Sequence, residues 1–125
     1  SIIAFSTKPL GGGGVLDVGI YCLSFITWVF GDIEPRTIQA VGALNKHDVD
    51  EYGTVSMEFG EKGVSTFSYC ISKEYENNAF IFGTGGVIKV TDFALTSFYF
   101  FDMFHVFTEA SPENFYPGVN LEFSD

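Results

Sequence analysis

A chain of 125 residues with 6 Lys+Arg against 16 Asp+Glu is one domain long and acidic, at a formal net charge of −10. That length buries roughly two thirds of the surface an unfolded chain exposes, so no disulfide or metal staple is needed, and a hydrophobic share of 46% with 15 Phe excludes disorder. The charge argues against nucleic acid and anionic membrane as partners, because affinity for either is built from cationic neutralisation.

Ser1 opens the chain without an initiating Met or a basic-then-apolar leader, and residues 121–125 stop abruptly after an apolar stretch, which predicts a fragment. Residues 11–14, four glycines, break the chain before a helix in which Leu16, Ile20, Leu23, Thr27 and Phe30 recur at intervals of three or four. Gly31 is expected to end it. The uncharged run 18–30 is shorter than the ~20 residues a bilayer core requires, so it reads as a buried helix.

From Pro35 the pattern turns to strands, first with Ile38, Ala40 and Gly42 on one side and Thr37, Gln39 and Val41 on the other. After a polar turn at 45–51, Val55, Met57 and Phe59 alternate with Thr54, Ser56 and Glu58, and residues 60–63 close a hairpin to a strand over 64–72. Residues 79–82 and 87–90 form a second hairpin pair across Gly83-Thr84-Gly85-Gly86. Residues 95–101 and 104–108 are expected to complete the sheet, and the stretch after Ser111, with Pro112 and Pro117, reads as a loop. The fold class is therefore α+β: an open, largely antiparallel β-sheet with a helix covering one face. Phe67, Tyr69, Phe80, Phe82, Phe98, Phe100 and Phe101 are expected to put apolar groups on both faces, the second one covered by another domain or subunit.

Asp17 and Tyr21 stand four apart on the helix and so share one side of it at adjacent turns. Negative charge in the first turn suits the helix dipole, and the glycines before it admit a backbone or a flat ring at close range. A phenol passes a proton to or from a carbonyl as hydride moves, but at an ordinary pKa of ~10 it needs a nearby cation to act as base. Periodicity alone favours a structural charge and a core-edge tyrosine over a catalytic pair. Cys22 and Cys70 lie in apolar stretches and read as buried thiols. With no leader, those thiols make the cytoplasm the expected location. His47 beside Asp48 and Asp50 reads as a solvated turn, and no metal is expected. His105 is expected to face solvent or an interface, Phe25 and Trp28 to be core or domain contacts, and Ser111 has no histidine pattern to make it a nucleophile.

The segment Gly12-Gly13-Gly14-Val15-Leu16-Asp17-Val18-Gly19-Ile20-Tyr21-Cys22-Leu23 closely resembles the start of the C-terminal domain in the glucose-fructose oxidoreductase and inositol dehydrogenase (Gfo/Idh/MocA) family. The family pattern there is GGGxLxDxGxH or GGGxLxDxGxY. Tyr21 in the final place, followed by Cys22-Leu23-Ser24-Phe25, is most similar to the branch of dimeric dihydrodiol dehydrogenases and D-xylose 1-dehydrogenases. Residues 48–59 resemble the family's acidic turn and strand, Ile81-Phe82-Gly83-Thr84-Gly85-Gly86-Val87-Ile88 its GTxGxI hairpin, and Pro117-Gly118-Val119-Asn120-Leu121-Glu122 the approach to its last helix.

This resemblance implies a glyceraldehyde-3-phosphate dehydrogenase-like C-terminal domain, truncated, in which residues 1–125 are a partial substrate-binding and dimerisation domain. It implies Tyr21 as acid/base, Asp17 as substrate-binding residue, a trans-dihydrodiol or pyranose (D-xylose type) substrate, and a homodimer formed through the sheet face. NADP would be bound mainly by an N-terminal Rossmann domain that this chain lacks. The cation beside the tyrosine would be a lysine from that domain's Glu-Lys-Pro motif. Lys8-Pro9 follows Thr7 and takes no such role, and residues 11–14 have no βαβ unit around them to make a dinucleotide fingerprint. The fragment alone is expected to be inactive. The alternative is a non-enzymatic dimerisation or ligand-binding module that has lost the cofactor domain.

Overall fold

A computed structural model describes residues 8–73, 78–90 and 119–123. The expected strands at 95–101 and 104–108, together with His105 and Ser111, lie outside them. The chain divides into two compact units, residues 1–75 and 76–125.

In the first unit a short 3₁₀ turn, Lys8–Leu10, precedes the glycines. A π turn over Val15–Gly19 then runs directly into α1, Ile20–Phe30. Gly31 ends α1 as expected: it takes φ 77°, a left-handed conformation open to glycine, and its N–H returns to the Thr27 carbonyl. Three antiparallel strands follow in the order β1-β2-β3: β1 Thr37–Leu44, β2 Asp50–Glu58 and β3 Val64–Cys70. The β2–β3 hairpin closes where the glycines predict, with Gly60 at φ 65° and Gly63 at φ 129°.

The core lies between α1 and one face of this sheet. Ile26, Met57, Phe59, Phe67 and Tyr69 form it, with Val15, Val18, Cys22, Leu23, Phe30 and Val55 packed around them. Phe30 stacks on Phe59 with ring centroids 4.1 Å apart, which ties the end of α1 to the end of β2.

One expectation is corrected here. The inward stripe of the helix runs through Val15, Val18, Cys22, Ile26 and Phe30, whereas Leu16 is 69% exposed and Ile20 and Thr27 also reach solvent. Gly19 is buried on the same side, where a Cβ would stand 3.5 Å from the Phe67 ring, at ordinary contact distance. Phe67 and Tyr69 share the helix side of the first sheet, paired with Val55 and Gly53, while the opposite face carries exposed Val41, Tyr52 and Val64 among hydroxyls joined across the strands. Thr54 Oγ1 lies 2.8 Å from Ser68 Oγ, and Ser56 Oγ lies 2.9 Å from Thr66 Oγ1.

In the second unit β4, Ala79–Gly83, and β5, Gly86–Val90, form the expected hairpin, and β6, Val119–Phe123, pairs antiparallel with β5. The loop expected over 119–123 is thus a strand, opening two residues after Pro117, as suits a residue that cannot donate to a ladder. Phe80 and Phe82 stack at 5.9 Å on one face of β4, with the Lys89 ammonium 5.5 Å from the Phe80 ring. The described strands thus form two three-stranded antiparallel sheets, and with α1 they make an α+β chain.

Candidate functional site

The glycine segment is filled by side chains of this chain itself. A Cβ on Gly14 would stand 2.5 Å from Cε2 of Tyr69, and one on Gly53 2.8 Å from the Tyr69 hydroxyl. A Cβ on Gly13, whose φ is 151°, would stand 2.6 Å from Asp50 Oδ1. The flat ring and the backbone expected to approach these glycines are therefore Tyr69 and the start of β2.

Gly14 offers no capping side chain, so the first N–H groups of the helical segment require another partner. Asp50 supplies one, accepting the Val15 N–H on Oδ2 at 2.7 Å. A carboxylate at this end of the segment also suits its dipole. Burial first, then the hydrogen bond to the Asp50 carboxylate and its negative charge, push the Tyr69 phenol up to about 12.

Asp17 and Tyr21 both lie on the segment that this arrangement anchors. Asp17 sits inside the π turn, its N–H bonded to the Gly13 carbonyl at 3.0 Å, and burial pushes its carboxyl up. Tyr21 is the second residue of α1 and is 44% exposed, on the outward side with Leu16 and Ile20. Among the described residues no hydrogen bond joins the two side chains. Every Lys and Arg of the chain lies outside the helical segment that carries them.

The remaining candidates go elsewhere. The His47 N–H donates to Asn45 Oδ1 at 2.8 Å in the β1–β2 turn, while Asp50 leaves that turn for Val15. Among the described residues no three His, Cys, Asp or Glu side chains gather to hold a metal. Phe25 is buried and Trp28 half-buried, their rings 6.2 Å apart. Burial pushes the Cys22 thiol up; at Cys70 burial acts the same way but hydrogen bonds with Ser72 and the Lys73 backbone together hold the thiol down. No described helix is long and apolar enough to cross a membrane.

Sequence reasoning missed Asp50 and Tyr69. Tyr69 carried a signal, since it faces Gly53 across the strands and a glycine in a strand interior marks close approach. Asp50 carried none that is local, because its partner lies 35 positions away.

The family model for the GFO/IDH/MocA C-terminal domain matches residues 3–89. Among curated proteins the chain is similar to trans-1,2-dihydrobenzene-1,2-diol dehydrogenases. That of Danio rerio is 41% identical over 83 residues, 66% of this chain and 25% of the relative. That of Xenopus laevis is 37% identical over 86 residues, 69% and 26% respectively. For the Bos taurus protein the figures are 40% over 81 residues, 65% and 24%. The chain therefore matches only about a quarter of the length of these relatives.

Proposed function

Because the chain belongs to the GFO/IDH/MocA C-terminal domain family, we propose that it supplies the proton-transfer side of an NADP-dependent dehydrogenase site acting on a trans-dihydrodiol or a pyranose of the D-xylose type. The observation that carries this reading is the placement of Tyr21 on the outward side of α1, with Asp17 four residues before it in the π turn.

In the direction of oxidation, the substrate hydroxyl hands its proton to Tyr21 in its phenolate form, leaving a neutral phenol, while the adjoining carbon loses hydride. Bound nicotinamide supplies the hydride acceptor. In reduction the phenol returns its proton to the carbonyl oxygen. Asp17 orients a neighbouring substrate hydroxyl, as an acceptor when ionised and as a donor when protonated. Leu16 and Ile20 offer exposed apolar surface on the same outward side, which suits one face of a flat ring. The glycine segment is taken up by Asp50 and Tyr69 and makes no phosphate cradle, so the chain's fit is to the reacting end of the cofactor, with the phosphates held by other residues of the full-length protein. Pairing of two copies across the face of the first sheet that exposes Val41, Tyr52 and Val64 belongs to the same proposal.

The test is turnover by the full-length protein, followed by nicotinamide absorbance with trans-dihydrobenzenediol and with D-xylose in separate assays. NADP-dependent oxidation of either supports the reading. A correctly folded protein that oxidises neither contradicts it.

A further inference from the structure

Asp50 opens β2 at a break in strand register. Ala43 pairs with Tyr52, but the next residue, Leu44, pairs with Asp50, so Glu51 is an extra residue in β2. The bulge stays attached to the sheet through the Ile71 N–H, which donates to the Glu51 carbonyl at 2.9 Å. Unbroken alternation would put Asp50 with Tyr52 and Thr54 on the face away from α1; one inserted residue returns it to the helix side. There Oδ2 takes the Val15 N–H and Oδ1 occupies the space beside Gly13, while the Tyr69 ring packs on Gly14 and Gly53.

We propose that Asp50, aimed by this bulge and flanked by Tyr69, is the positioning residue for the π turn and so sets the direction in which Asp17 and Tyr21 leave the helix. The inference rests on the proton-transfer reading of Tyr21. Asp50 holds the Val15 amide and packs beside Gly13, and backbone bonds lead onward from both: the Asp17 N–H is held by the Gly13 carbonyl and the Ile20 N–H by the Val15 carbonyl, the wide ring that makes the turn π. A displacement of Val15 is thus carried to both side chains, with Asp50 contributing through position rather than through contact with substrate.

The experiment uses the full-length protein. Asp50→Asn keeps an acceptor oxygen for the Val15 amide and Asp50→Ala does not. For Asp50→Ala, kcat is expected to fall at least ~10-fold with the KM for NADP unchanged, since a misplacement of about 1 Å is enough to slow such a step by ~10². Hydrogen exchange at amides 15–20 should quicken in Asp50→Ala and stay near wild type in Asp50→Asn, which should also recover kcat to within about threefold. Wild-type kcat and exchange in Asp50→Ala, or equal losses in both variants, would overturn the proposal. If Asp50→Ala does not fold, Tyr69→Phe decides: it keeps the ring but removes the hydroxyl, and faster exchange at 15–20 with a lower kcat supports the proposal while wild-type values overturn it. An unchanged rate in Tyr21→Phe would remove the functional reading instead, and the exchange pattern around Asp50 would stand apart from that result.

Discussion

The Asp50 carboxylate accepts the Val15 amide at 2.7 Å across 35 positions of sequence, so the helix bearing the candidate site is started by the sheet beneath it rather than by a cap of its own. Packing and site are coupled at that bond. What disturbs the sheet at Asp50 or Tyr69 reaches Asp17 and Tyr21, and the predictions below probe that coupling from both ends.

Gly14 has ordinary helical φ and ψ, so close approach rather than backbone freedom demands glycine there. In Gly14→Ala the new methyl meets the Tyr69 ring at 2.5 Å and the Asp50 carbonyl at 3.0 Å. The expected loss is about 1–3 kcal/mol, the usual range for overpacking, read from urea denaturation. Combined with Tyr69→Leu the loss should be smaller than the sum of the two by more than ~0.5 kcal/mol. Simple additivity would show that the ring is not what the methyl strikes.

Tyr69 predicts the alkaline behaviour. Its phenol titrates near 10 when unfolded and at about 12 in the fold, so the folded state holds the proton more tightly. The associated stability is fully present below pH 10 and is lost as pH rises from 10 towards 12. Tyr69→Phe should flatten the fall in stability over that window; an equally steep decline in the variant would assign it to other groups.

The parts legible in the sequence were those fixed by local chemistry. Gly31 ending α1, the Gly60 and Gly63 hairpin and the β4–β5 turn each follow from what a few adjacent residues permit. The inward stripe of α1 was misjudged because Ile20–Phe30 is apolar at nearly every position, leaving periodicity little contrast. β6 was overlooked although Val119, Leu121 and Phe123 alternate with Asn120 and Glu122, because Pro112 and Pro117 drew the reading towards loop. The pair Asp17 and Tyr21 was visible as a spacing and a resemblance. Its support from Asp50 was not, since an unmarked bulge reversed the alternation from which a side would be inferred.

Asp17 separates stability from function. Burial raises its carboxyl pKa, so the folded state favours the protonated form, and the stability this brings is present at low pH and lost as pH rises through the raised value. The ionised form carries that desolvation cost, which an amide avoids. Asp17→Asn should leave Tm unchanged or higher at pH 7 while raising the KM for substrate in the full-length protein. A lower Tm with unchanged KM would make Asp17 a structural charge.

The most direct measurement is the turnover of Tyr21→Phe in the full-length protein at saturating substrate and NADP. Tyr21 is 44% exposed and outside the core cluster, so the variant should melt within a degree or two of wild type. Removing one phenolic oxygen should lower kcat by ~10² to 10⁴, the range that general acid/base catalysis contributes. A folded Tyr21→Phe protein turning over at the wild-type rate would contradict the account.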